Sequence, residues 1–204
     1  MAGSGEVEPS RRGRPRLTTR GEITHVALTL FIERGFDSVT VDDIAASCGI
    51  GRSTFFRYFP SKNDLPWGEF EVLLQELRRG LAAIPLSVDL VDALRSAIIS
   101  FNAVPAEEIP YHRDRMRLLL GTPSLVAHST LRYESWRQVI ADYVAERLEL
   151  DPRSAPALTM GWVCLGISLA AYELWLDQED SSLAQLMEQG FESAREILSR
   201  SGRA

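Results

Sequence analysis

Residues 40–59, TVDDIAASCGIGRSTFFRYF, constrain the fold more than any other stretch of the chain. Thr40 with Asp43 three residues later forms a capping box, and the acid lies at the favourable end of the helix dipole. This pair opens a short helix, Val41 to Cys48, which Gly49 stops. Ile50 and Gly51 complete a tight turn, and another helix runs from about Arg52 to Phe59 until Pro60 prevents continuation. Two short helices joined by a glycine turn have the dimensions of a helix-turn-helix. Four aromatic rings crowd positions 55–59, interrupted only by Arg57. Residues three and four apart share a helix face, so Phe55 and Phe59 form one stripe. Ser53, Thr54, Arg57 and Tyr58 turn polar groups to another side, and Phe56 sits at the margin.

The surrounding sequence reads as helix throughout. A first helix begins at Thr18 or Thr19 and ends at Gly35, with Ile23, Ala27, Leu30 and Phe31 at helical spacing. Ser61 and Asp64 cap a fourth, but Pro66 forces a tight first turn before a long helix from Trp67 to about Ala83, buried along Phe70, Leu73, Leu74, Leu77 and Leu81. Further helices fall near residues 88–102, 108–120, 124–149, 152–177 and 182–199, with an Asp151-Pro152 cap before the penultimate one. No stretch sustains a period of two. The fold class is all-α with about nine helices, divided into a basic arm at 1–17, disordered in isolation, a helix-turn-helix domain at 18–65 and an effector and dimerisation domain at 66–204.

The net charge of −6 conceals an asymmetry. Residues 10–62 carry nine basic and five acidic side chains, whereas residues 63–204 carry thirteen and twenty-one. A basic unit on an acidic body is the footprint of local phosphate contact. Within the arm, RGRPR resembles a minor-groove AT-hook, the alternative being a solvated tail that contributes only charge. Residues 158–176 are nearly apolar for about the length of a bilayer span, roughly 20 residues. Glu173 inside the run and acids at its flanks instead favour a helix buried all round by protein. Two distant cysteines, Cys48 and Cys164, suggest no disulfide framework, and with no secretory leader a cytoplasmic location is expected. His25, His112 and His128 lack a neighbouring cysteine, carboxylate pair or metal-ligand spacing, and no glycine-rich phosphate loop occurs, so neither catalytic residues nor a metal site is assigned.

With these elements in place, residues 40–65 are similar to the TetR/AcrR regulator motif: a small-residue helix bearing Ile-Ala, a glycine turn, Thr followed by aromatic residues, then Phe-x-x-Lys. The likeness covers residues 18–65; beyond them only helical character is shared. Pro66-Trp67-Gly68 further resembles regulators associated with mycofactocin gene clusters. The resemblance implies a transcriptional repressor, not an enzyme, that binds double-stranded DNA at a palindromic operator as a homodimer. It implies no cofactor, but a small-molecule effector, with long-chain acyl-CoA as the candidate.

By the same likeness, Arg52, Ser53 and Thr54 reach base edges, with Arg57 close behind; a good bidentate arginine–guanine pair is worth roughly 1–3 kcal/mol of discrimination. Tyr58, Lys62 and the Thr40 hydroxyl contact phosphate, while Phe55 and Phe59 pack with Ala45 and Ile50. Phe56 replaces the family's usual tyrosine and leaves a ring able to meet a thymine methyl. Gly51 stands where a serine commonly caps the recognition helix.

The second half carries Trp67, Phe70, Phe101, Tyr111, Met116, Trp136, Trp162 and Tyr172, each either core or the wall of a ligand pocket. His128 and Arg132, four apart on one helix face, offer a place for an anionic or polar ligand group. YHRDRMR, residues 111–117, is either a seat for the phosphates of an acyl-CoA or a solvated face. The last two helices, residues 152–199, fit a twofold dimer interface, the first being too apolar to face water on any side.

Overall fold

The computed structural model describes residues 19–200, so the arm read at 1–17 lies outside the described residues. Among these residues nine α-helices follow in order: α1 (Arg20–Arg34), α2 (Val41–Ser47), α3 (Arg52–Tyr58), α4 (Phe70–Ala82), α5 (Leu90–Phe101), α6 (Ile109–Gly121), α7 (Pro123–Leu148), α8 (Ala155–Asp177) and α9 (Leu183–Arg200). No strand occurs among the described residues. A 3-10 segment, Lys62–Trp67, fills the space between α3 and α4. It ends at Gly68, whose φ of +55° a side chain would strain, so α4 begins at Phe70 and not at Trp67.

Local chemistry sets the N-terminal helices. Thr19 caps α1 through a reciprocal box with Glu22, and Thr40 caps α2 through one with Asp43. Past α2 the Ile50 amide returns to the Ala45 carbonyl at 2.9 Å and the Gly49 amide to Ala46 at 3.0 Å. These two bonds make a Schellman turn, and its left-handed residue, at φ +65°, is Gly49. Gly51 caps α3 with no side-chain bond.

Two apolar cores result. The smaller joins Ile23, Leu28 and Phe31 of α1 to Ile44, Phe55, Phe59 and Leu65, and reaches Leu125 at the start of α7. Phe55 and Phe59 are fully buried; truncating such a ring to alanine costs about 3–5 kcal/mol. The larger core runs through α4 to α9. There α7 and α8 pack so closely that a Cβ on Gly161 would stand 2.9 Å from the Arg137 carbonyl, and one on Gly190 of α9 would meet Ile167 of α8 at 2.8 Å. Asp151 accepts from the Arg153 amide in the turn before α8, and Ser154, not Asp151-Pro152, occupies the cap position.

The expectation that α8 is enclosed on every side fails for the protomer. Leu158 (42% exposed), Trp162 (59%) and Leu174 (46%) keep one side open, with Gly166 and Ala170 exposed between them at four-residue spacing. A helix this apolar needs only one open face to associate with another.

Candidate nucleic-acid interface and buried cavity

The α3 surface divides as its spacing dictates. Arg52, Ser53, Phe56 and Arg57 are exposed, Thr54 and Tyr58 are half-buried, and Phe55 is sealed in the core. Phe56, 43% exposed, rests edge-on against Phe55 at 5.4 Å and lies beneath the Arg52 guanidinium, 5.4 Å from the ring centroid. Arg52 Nη1 donates to both carboxylate oxygens of Asp42 at 2.9 Å, so α2 holds the leading arginine of α3 in place. Arg57 lies over the Tyr58 ring, and the Tyr58 carbonyl accepts from Arg20 Nη1 at 2.7 Å. Four exposed side chains on one face of a short helix present charge, hydroxyl and ring to a groove.

Two residues assigned to phosphate have partners of their own. Lys62 Nζ donates to the carbonyls of Phe36 (2.8 Å) and Val39 (2.9 Å) and sits 4.2 Å over the Phe36 ring. Burial pulls its ammonium below the usual lysine range, and the residue ties the 3-10 segment to the loop before α2. The Thr40 hydroxyl donates to Asp43 Oδ2 at 2.6 Å while accepting from the Asp43 amide, so its cap is closed.

Between α4, α5, α6, α7 and α8 lies a cavity of about 330 Å³, near the lower bound of roughly 300–1,000 Å³ for small-molecule sites. Trp67, Phe70, Phe101, Met116, Trp136 and Tyr172 line it. The other four expected pocket residues lie elsewhere. Tyr111 stacks on His25 at 5.3 Å, joining α6 to α1. Trp162 lies on the open face of α8, with Arg137 3.4 Å above its ring. His128 and Arg132 share the α7 face that the spacing gave them, but both meet Asp64, at 3.1 and 2.9 Å. Asp64 is 5% exposed and also accepts from the Ser61 hydroxyl and amide. Burial pushes its carboxyl up, and the bonds from Ser61, His128 and Arg132 outweigh this to hold it below the usual range.

Residues 111–117 also separate. Arg113 donates to the carbonyls of Trp175, Gln178 and Glu179, and Arg117 pairs with Asp114. His112 and Arg115 face the cavity. Arg115 Nη2 donates to His112 Nδ1 at 2.6 Å, His112 Nε2 meets the Tyr172 hydroxyl at 3.0 Å, and that hydroxyl donates to Asn102 Oδ1 at 2.9 Å. The chain is consistent only with a neutral imidazole protonated on Nε2. Burial, then the charge of Arg115, lowers His112 to about 3, in agreement. Asn102, Leu165 and Ser168, also in the wall, carried no local sequence signal.

The 3-10 segment connects the two regions. Lys62 grips the loop before α2, Asp64 is gripped by α7, and Pro66 and Trp67 form cavity wall, all within six residues.

Comparison with known proteins agrees with this organisation. Residues 23–65 match the tetR family of bacterial regulatory proteins, and residues 88–199 match the MftR C-terminal domain. The chain is 44% identical over 183 residues to the mycofactocin biosynthesis transcriptional regulator MftR of Mycobacterium tuberculosis, covering 90% of this chain and 92% of the relative. Two solved structures share the fold. The TetR-family repressor FadR of Thermus thermophilus, in complex with lauroyl-CoA, gives a TM-score of 0.54 at 23% identity, covering 85% of this chain and 92% of that one. SmeT, the repressor of a Stenotrophomonas maltophilia multidrug efflux pump, gives 0.58 at 18%, covering 87% and 89%. The chain belongs to the TetR family of transcriptional regulators and carries an MftR-type C-terminal domain.

Proposed function

We propose that this protein is a cytoplasmic repressor that holds a palindromic operator as a homodimer and lets go when a small molecule occupies the cavity, with a mycofactocin gene cluster as its target. The observation that carries this reading is one six-residue segment tied to the loop before α2 at one end and forming cavity wall at the other. A ligand shifts such an equilibrium only by differential affinity for the two states. Displacement of Trp67 by a bound molecule would be transmitted through Lys62 to the loop before α2, and through α2 to α3.

In the dimer, the open stripe of Leu158, Trp162, Gly166, Ala170 and Leu174 is covered by its twofold copy, through the region 152–199. Two α3 helices then address major grooves about one helical turn apart, near 34 Å. Arg52, Ser53, Phe56 and Arg57 reach bases, while Thr54 and Tyr58 flank them. Thr40 and Lys62 act by fixing α2 and its loop, and through them the phosphate contacts of neighbouring backbone. The acyl part of a long-chain acyl-CoA is supported by the apolar wall and by lauroyl-CoA in the FadR complex.

A mobility shift with duplex DNA from immediately upstream of the gene tests the reading. Wild-type protein is expected to shift it at low salt, Arg57→Ala to weaken the shift, and Trp162→Glu to sediment as a monomer and lose it. A wild-type monomer that shifts no such DNA refutes the proposal.

A further inference from the structure

Helix α2 carries two acids in its first turn, and only one of them serves the helix. Asp43 closes the capping box with Thr40. Asp42 takes no part in that box, and both of its carboxylate oxygens accept from Arg52 Nη1 on α3 at 2.9 Å. The two side chains are 59% (Arg52) and 69% (Asp42) exposed, so the pair contributes little to stability. It also sets a negative charge on the face that approaches DNA, which weakens attraction to phosphate. What the pair does fix is direction. An exposed arginine beside a duplex is drawn to phosphate wherever its flexible side chain can swing. Here every side-chain hydrogen bond of Arg52 among the described residues runs through Nη1, which leaves Nε and Nη2, one edge of the planar fork, for the O6 and N7 acceptors of a guanine. Phe56 follows one turn along, its exposed ring 5.4 Å from that guanidinium. Successive bases on a strand are roughly 3.4 Å apart, so a ring this near the guanidinium meets the base beside the guanine. The apolar group that a base offers in the major groove is the thymine methyl.

We propose that Asp42 sets the sequence specificity of this protein as a positioning residue: it holds Arg52 off phosphate and on guanine, while Phe56 selects a thymine beside that guanine. Asp42 itself touches no base. Holding the guanidinium in one orientation before DNA arrives removes an ordering cost from the correct contact and denies the arginine its sequence-blind alternative. Affinity is thereby lower, and discrimination higher, than an unheld arginine would give. The inference rests on α3 being the recognition helix, and it adds what each half-site must contain, a guanine next to a thymine methyl.

The test is selection of duplexes from a random-sequence library by the full-length protein, then anisotropy on the selected duplex, with melting curves verifying that each variant is folded. Wild type is expected to select a palindrome whose half-sites share a guanine that Arg52→Gln no longer selects. Replacing that guanine pair by an adenine pair should cost wild type at least about tenfold, the ratio of a bidentate arginine contact. Asp42→Asn should bind both duplexes more tightly but gain more on the adenine one, so that the ratio falls to about threefold or less. Its salt dependence should steepen by about 0.9 for each phosphate the freed arginine reaches. A merely structural role for Asp42 would move neither the base ratio nor the salt slope. Deoxyuridine in place of the neighbouring thymine removes only the methyl; it should weaken wild type about threefold and leave Phe56→Ala unaffected. A selected palindrome whose guanine preference survives Asp42→Asn, or in which no guanine depends on Arg52, overturns the inference while the repressor reading stands. Equal binding of thymine and deoxyuridine duplexes by wild type overturns the role given to Phe56. Wild type that selects no sequence refutes the repressor reading, and this inference with it.

Discussion

Replacing Asp64 with alanine removes the joint between α7 and the 3-10 segment, and its cost can be worked from the contacts. The carboxylate is 5% exposed and meets Ser61, His128 and Arg132 within 3.1 Å. Loss of the capping box alone costs about 1 kcal/mol. Removing one partner of a buried ion pair costs roughly 3–5 kcal/mol. The lower end applies, because Arg132 keeps Glu71 at 2.9 Å and its side chain is 22% exposed. The terms overlap, so about 3 kcal/mol is the expected total. For a chain of this size that lowers Tm by roughly 6–12 °C, read by circular dichroism at one fixed protein concentration, since a dimer's Tm depends on it. The sign with pH is determined too. Asp64 is held below its unfolded value, so its contribution is complete above about pH 4 and is lost only as pH falls through the lower folded value. The gap between wild type and Asp64→Ala should therefore stay constant from pH 5 to 8. A variant melting within about 2 °C of wild type, or a gap that closes between pH 8 and 6, refutes the reasoning.

Gly161→Ala should lose about 1–3 kcal/mol in a urea titration, because its Cβ meets backbone at 2.9 Å. Gly80→Ala, in open space within α4, should gain about 0.5–1 kcal/mol in the same assay. His112 binds its proton in the unfolded chain near pH 6.5 but in the folded one only near 3. Stability should thus fall by about 1.4 kcal/mol per pH unit below 6.5, and His112→Gln should flatten that slope in melts at pH 7.0 and 5.5. Asp42→Asn removes the α2 acid that pairs with Arg52 and frees that arginine, so operator affinity measured by anisotropy should rise several-fold, about 1 kcal/mol, while Tm barely moves.

Features written in consecutive residues were legible. The start of α1 at Thr18 or Thr19, the Thr40–Asp43 box, the glycine turn and the split between Phe55 and Phe56 all follow from spacing within one or two turns. The start of α4 was misplaced because Gly68 reads as an ordinary residue until its positive φ is seen. Helical spacing assigned His128 and Arg132 to one face, yet their partner Asp64 is 64 and 68 positions away, and no local pattern encodes which acid a face will meet. Lys62, the chain's sole lysine, was given to phosphate by the family likeness, and no local pattern shows that its ammonium also meets two carbonyls of the loop before α2. Trp162 shows the limit of reading aromatic residues as interior: its ring packs under Arg137 on an open face.

The central claim is that occupancy of the cavity and DNA affinity are coupled. The direct measurement is anisotropy of a labelled operator duplex titrated with protein, with and without saturating lauroyl-CoA, while the change in tryptophan fluorescence reports occupancy of the cavity that Trp67 and Trp136 line. The account predicts that the occupied protein binds the duplex at least about fivefold more weakly, corresponding to roughly 1 kcal/mol of coupling. Unchanged operator affinity in protein whose cavity is demonstrably full would contradict it.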